Sequence, residues 1–190
     1  MKNLSHFTPF FLLVFLISII GISTYKINAK QQIKQESSIE EDVIETSFFE
    51  KEDILLPEFT LPNLHNQNDV FSKQDLLGQY SVINFFASWC TTCRAEHDDL
   101  MRLKDEGIID IYGVAWRDIN DNTKVYLEEN GNPFVKTASD GKALFTKIIG
   151  IKAVPETLIV NPEGRVVLRY RGNLDDFTIN EIRRFVATKK

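Results

Sequence analysis

YSVINFFASWCTTCRAEH, from Tyr80 to His97, is the stretch on which the rest of the chain hangs. Tyr80 to Ala87 is an uncharged run of β-branched and aromatic residues, as expected of a strand covered on both faces. From Cys93 to Glu106 the pattern turns helical, and Gly107 stands where a helix end favours a left-handed residue. Between the two lies Ser88-Trp89-Cys90-Thr91-Thr92-Cys93-Arg94, holding both cysteines of the chain.

A Cys-x-x-Cys pair that opens a helix has a physical logic. Cys90 falls at the helix N-terminus, where unsatisfied N–H groups and the macrodipole favour a thiolate. Cys93, one turn deeper, is placed to close a small disulfide ring and release a mixed-disulfide partner. Cys90 therefore reads as the attacking nucleophile, Cys93 as the resolving thiol, and Trp89 as a shield beside Cys90 on the substrate side. Other uses of the pair are weaker. A zinc site needs two more ligands, of which only His97 has suitable spacing, and His97 otherwise reads as a helix-surface residue. Covalent haem attachment needs His after the second Cys, and Arg94 stands there. A purely structural disulfide is the remaining alternative. No metal and no cofactor is expected.

Working outward, Ile109 to Ala115 is a second strand, Asp121 to Asn130 a helix stopped by Gly131-Asn132-Pro133, and Gly141 to Ile149 a short helix. Glu156 to Val160 and Arg165 to Tyr170 flank Asn161-Pro162-Glu163-Gly164 and read as an antiparallel hairpin. Phe177 to Ala187 closes the chain as an amphipathic helix with Ile179, Ile182, Phe185 and Val186 inward. Phe59 to Leu64 and Val70-Phe71 add a small N-terminal hairpin. A parallel βαβ unit followed by a hairpin and a covering helix is the thioredoxin order, a three-layer α/β sandwich.

A second landmark is Ala153-Val154-Pro155-Glu156-Thr157, directly before a strand. A proline at a strand's entry fits a cis bond that brings a backbone edge opposite the cysteines; an ordinary trans turn is the alternative. An extended substrate could pair with Val154 by strand addition and present its own cysteine to Cys90.

The chain divides into three parts: residues 1–25, 26–56 and 57–190. Phe7 to Tyr25 is 19 residues without a charge, marginally long enough to cross a bilayer as a single transmembrane signal anchor. A cleaved secretory signal is the alternative, and either exports the rest. Lys2 precedes the segment while Lys26, Lys30 and Lys34 follow it, which by charge counting favours the opposite orientation. Residues 26–56 carry four Lys against eight Asp or Glu, a net −4, and read as a solvated acidic tether. A formal charge of −5 over 190 residues argues against a nucleic-acid partner.

WCTTCRAEH (Trp89 to His97), GNPF (Gly131 to Phe134), VPET (Val154 to Thr157) and YRGNL (Tyr170 to Leu174) together resemble the DsbE/CcmG family of membrane-anchored thiol:disulfide interchange proteins. The similarity runs from about Pro57 to near the C-terminus. It implies a thioredoxin-like domain on the periplasmic side of the bacterial inner membrane, acting as a dithiol reductant in cytochrome c maturation. Its implied partners are apocytochrome c or a CcmH-type protein, with electrons supplied by a DsbD- or CcdA-type membrane donor. The soluble domain is expected to be a monomer. Cys90 and Cys93 map onto the redox pair and Pro155 onto a cis-proline.

The resemblance also implies acidic groups near the site, which map onto Glu96 and Glu156; a carboxylate there raises a thiol's pKa, and Glu96 is placed to relay a proton for Cys93. Trp116 falls in the segment to Lys136 where the family carries an insert and groove, so it is either a groove aromatic or a core residue. Asn84 replaces the buried Asp of cytosolic thioredoxins, and an amide cannot take a proton, which moves that role towards Glu96. A general TlpA- or ResA-like thiol reductase and a non-catalytic holdase for apocytochrome segments are the alternatives.

Overall fold

The computed structural model describes residues 49–189. The expected anchor and most of the expected tether lie outside the described residues; within them, no helix is long and apolar enough to cross a membrane. The centre is a six-stranded sheet in the order β1-β8-β7-β4-β5-β6. Its strands are β1 (Glu50–Leu55), β4 (Ser81–Phe86), β5 (Asp110–Trp116), β6 (Lys136–Asp140), β7 (Glu156–Val160) and β8 (Arg165–Arg171). A separate antiparallel pair, β2 (Thr60–Pro62) and β3 (Val70–Ser72), is the expected N-terminal hairpin. Among the described residues the α-helices are, in chain order, α1 (Thr91–Ala95), α2 (His97–Glu106), α3 (Asn120–Asn130), α4 (Leu144–Ile148) and α5 (Asp176–Thr188).

β4 is buried at every position because it runs between β5, parallel, and β7, antiparallel. Its alternating side chains feed two cores. Val82 and Phe86 join Leu100, Leu103, Tyr126, Leu127, Ile179 and Ile182 beneath α2, α3 and α5. Ile83 and Phe85 join Phe71, Tyr112, Phe145 and Leu158 beneath α4 and the small hairpin. The outcome is the three-layer thioredoxin-like sandwich. Gly113 of β5 shows how tight the first core is: a Cβ there would sit 2.5 Å from the Phe134 ring, so only glycine lets that ring lie on the strand. The β7–β8 turn closes as its composition demands, with Asn161 Oδ1 accepting from the N–H groups of Glu163 and Arg165, and Gly164 at φ +77.

The tether does not extend to residue 56. Residues 50–55 form β1, antiparallel to β8. Acidic side chains that read as part of a tether pair with arginines of β8: Glu52 with Arg169, largely covered, and Glu50 with Arg171 and Asp53 with Arg165 at the exposed edge. Phe49 and Leu56, at the two ends of the strand, are buried.

The single helix expected from Cys93 to Glu106 is two, separated at Glu96 (φ −86, ψ −7). The break coincides with the Glu96 carboxylate being held inside by Asn84 and Leu174. It also rotates His97 inward, correcting its reading as a surface residue: its ring is buried against Tyr126, and Nε2 donates to the Asn130 and Gly131 carbonyls.

Candidate functional site

β4 delivers the chain, through Ala87 and Ser88, to the N-terminus of α1, where Cys90 is the capping residue. Cys90 and Cys93 form a disulfide with Cα atoms 5.3 Å apart. The Cys93 N–H donates to Cys90 Sγ at 3.1 Å, and the Thr92 hydroxyl lies 3.3 Å from the same sulfur. Those donors are the electrostatic reason that this end of α1 favours negative charge on Cys90 once the bridge opens. Both cysteines are almost fully buried in the disulfide form.

Opposite them the Val154–Pro155 peptide is cis, and the Val154 carbonyl oxygen lies 3.7 Å from Cys90 Sγ. Val154 is partly exposed, so a backbone edge is open beside the sulfur. Trp89 is 58% exposed on the other flank, its ring 6.3 Å from Trp116. The Trp89 indole N–H donates to the Arg117 carbonyl, and the Arg117 guanidinium lies 4.8 Å over the Trp116 ring. Trp116 thus stands at the surface with Trp89 and is not a core residue.

Glu96 is fully buried, accepting from Asn84 Nδ2 at 2.9 Å and from the Leu174 N–H at 2.7 Å. Among the described residues no cation pairs with it, so desolvation pushes its pKa up to about 7 despite these two hydrogen bonds. Asn84 Nδ2 also reaches Thr157 Oγ1 at 3.1 Å, while its Oδ1 is buried without a partner among the described residues. A carboxyl that exchanges its proton near neutrality, one turn after Cys93, suits transfer of a proton to or from a thiol.

Glu156 is placed differently. Its carboxylate lies on the other face of β7, paired at 2.5 Å with the buried Arg169, whose Nη2 also holds the Ile149 carbonyl. It sets the cis-proline loop against β8, whereas Glu96, bonded to Asn84, lies on the face of the sheet whose core holds Cys90 and Cys93.

Asp118 was not singled out by sequence. It accepts from the Ser88 N–H at 2.5 Å, the Ser88 hydroxyl at 3.0 Å, the Ile119 N–H and the Thr123 hydroxyl, tying the start of the cysteine loop to the end of β5. Arg94 holds the same residue from α1, donating to the Ser88 carbonyl at 2.9 Å with its guanidinium over Tyr126. An aspartate directly after Trp116-Arg117, in a segment too polar for a core, was the available signal.

The redoxin family model matches residues 51–184. The chain belongs to the redoxin family. It is 34% identical over 119 residues to the thiol:disulfide interchange protein DsbE of Allochromatium vinosum, covering 63% of this chain and 66% of that protein. To the thiol:disulfide interchange protein HelX of Rhodobacter capsulatus it is 38% identical over 112 residues, 58% of this chain and 63% of that one. It therefore spans just under two thirds of each of these relatives. A crystal structure of a thioredoxin-family thiol:disulfide interchange protein from Chlorobium tepidum superposes with a TM-score of 0.60 at 21% identity, covering 73% of this chain and 97% of that one; this shows the fold. The match begins within β1, in agreement with the strand's place in the sheet.

Proposed function

We propose that this redoxin is a thiol:disulfide oxidoreductase that reduces an exported polypeptide. The observation that carries the reading is the Cys90–Cys93 disulfide at the mouth of α1 with the Val154 carbonyl 3.7 Å from Cys90 Sγ. In the dithiol form, Cys90 as thiolate attacks a sulfur of the substrate disulfide. A Cys90–substrate bond forms, the substrate S–S bond breaks, and the departing sulfur takes a proton. Cys93 then loses its proton, with Glu96 as the acceptor within the site, and attacks Cys90 Sγ. The second substrate sulfur leaves as a thiol, so two electrons have passed to the substrate and the chain holds the Cys90–Cys93 bridge.

The names of the DsbE and HelX relatives support disulfide interchange; the WCTTCRAEH and VPET motifs support the more specific role. In that role the substrate is the haem-site cysteine pair of apocytochrome c, or a CcmH-type partner, during cytochrome c maturation. A DsbD- or CcdA-type donor re-reduces the bridge. Residues 7–25 anchor the protein in the inner membrane, which the apolar run from Phe10 to Ile17 supports; the redoxin domain lies on the periplasmic side, which the disulfide chemistry supports against the lysine count.

Trapping tests the reading. The full chain carrying Cys93→Ser cannot resolve its mixed disulfides. It is expected to accumulate dithiothreitol-sensitive adducts through Cys90 with apocytochrome or its chaperone, absent when Cys90→Ser is added. Adducts with unrelated exported proteins alone would redirect the reading to a general reductase of the TlpA or ResA kind, and no adducts would overturn it.

A further inference from the structure

On one side of Cys90 the surface is basic although the chain as a whole carries −5. A depression bounded by Trp116, Arg117, Thr146, Lys147 and Lys152 joins, at Lys152, a second one that holds Val154 and Pro155 and ends at Thr92. The cations here are not spent on neighbours. Among the described residues, no hydrogen bond or ion pair joins the side chain of Arg117, Lys147 or Lys152 to an acid. The acids closest in the fold are occupied. Asp118 accepts from Ser88, Ile119 and Thr123; Asp140 is buried and accepts from the N–H groups of Leu144 and Thr146; Glu156 is turned into its pair with Arg169. Arg171, at the far end, is paired with Glu50.

The backbone adds an independent sign. Arg117 holds φ +48, a left-handed conformation that a side-chain-bearing residue rarely adopts. That conformation accompanies the Trp89 indole bond to the Arg117 carbonyl and the stacking of the guanidinium on Trp116. One cation is thereby fixed beside the pair of Trp89 and Trp116.

We propose that this basic depression selects substrates: it binds a carboxylate of the partner polypeptide, an Asp or Glu close in sequence to the cysteine presented to Cys90. The inference rests on the thiol:disulfide reading for its purpose but not for its test. Three uncompensated cations in a concave surface raise the local potential, attract an acidic segment and disfavour a basic one, mostly through the rate of encounter. The aromatic pair gives the adjoining residues an apolar surface.

The test is a binding measurement with the full chain and two synthetic peptides. Each has a Ser-x-x-Ser in place of cysteines, flanked by Glu in one and by Lys in the other, so no exchange chemistry is needed; Trp89 and Trp116 fluorescence reports binding. At low salt the Glu peptide is expected to bind about tenfold more tightly, and the gap to close near 0.5 M salt as screening sets in. The Lys147→Glu/Lys152→Glu variant is expected to reverse the preference, a gain of binding that a misfolded protein cannot show. Equal affinity of the two peptides at low salt, or a preference that survives charge reversal, would overturn the proposal. So would a preference that emerges only after Glu40, Glu41, Asp42 and Glu45 are neutralised, since the chain's own acidic segment would then be the occupant. A charge preference without any trapped adduct in the Cys93→Ser experiment would leave this inference standing and remove the thiol:disulfide reading.

Discussion

Two buried glutamates flank the candidate site, and they were built by opposite rules. Glu156, directly after Pro155, shares a 2.5 Å ion pair with Arg169, which is itself held by Glu52 of β1. Glu96, one turn after Cys93, has no cation partner among the described residues; its partners are an amide and a backbone N–H, and its pKa is raised to about 7. A charge buried with a guanidinium is structural and links β1, β8 and the cis-proline loop. A carboxyl buried among neutral donors is left to gain or lose a proton near physiological pH. The same residue type on two sides of one sheet thus serves rigidity in one place and proton exchange in the other.

Breaking the structural side has the largest expected effect. Arg169→Met leaves the buried Glu156 with only the longer 3.7 Å contact to Arg171 and the half-buried Glu52 without its arginine, so unfolding free energy should fall by about 3 kcal/mol, roughly 8 °C in midpoint. Thermal unfolding of the full chain followed by circular dichroism checks it. A loss under 1 kcal/mol would mean that the pair contributes little.

The exchangeable side is read through pH. Because Glu96 has a folded pKa raised above the ordinary value of 4.5, its contribution to stability is fully present below about pH 4.5. It is lost as pH rises to about 7, a change of up to about 3 kcal/mol in the disulfide form. Glu96→Gln should flatten that part of the stability–pH curve and also slow the resolving step most near neutrality. Urea unfolding at a series of pH values, together with the pH profile of adduct resolution, provides the check; an unchanged curve in the variant would show that another group is responsible.

The exposed pairs set the lower bound of the comparison. Asp53→Asn removes the partner of Arg165 at the solvated edge of β1, where water screens the charge in any case. The unfolding midpoint should not move measurably. A clear drop would show that the β1–β8 edge depends on its rim charges.

Much of this was legible in advance, and the reason is periodicity. β4, the α1–α2 region, the Asn161–Gly164 turn and α5 each carry a local pattern that names the element without its partners. β1 does not. Glu50, Glu52 and Asp53 look like a tether until set beside Arg165, Arg169 and Arg171, more than a hundred residues away. β6, KTASD, is too polar to read as a strand, and it forms because β5 offers a parallel edge. Within the site, the chemistry of Cys90 and Cys93 follows from two residues and a helix start. The division of labour between Glu96 and Glu156 does not, because it depends on which of them meets an arginine across the sheet. His97 was misread for a related reason: the turn at Glu96 that carries it inward comes from contacts to Asn84 and Leu174, not from the local sequence.

The most direct test is to equilibrate the full chain with graded thiol–disulfide buffers and count free thiols by alkylation and mass. The account predicts one reversible two-electron transition confined to Cys90 and Cys93, with a midpoint below about −200 mV, fit to donate electrons. A pair that never opens and recloses, or one poised near −120 mV as in a protein that installs disulfides, would contradict it.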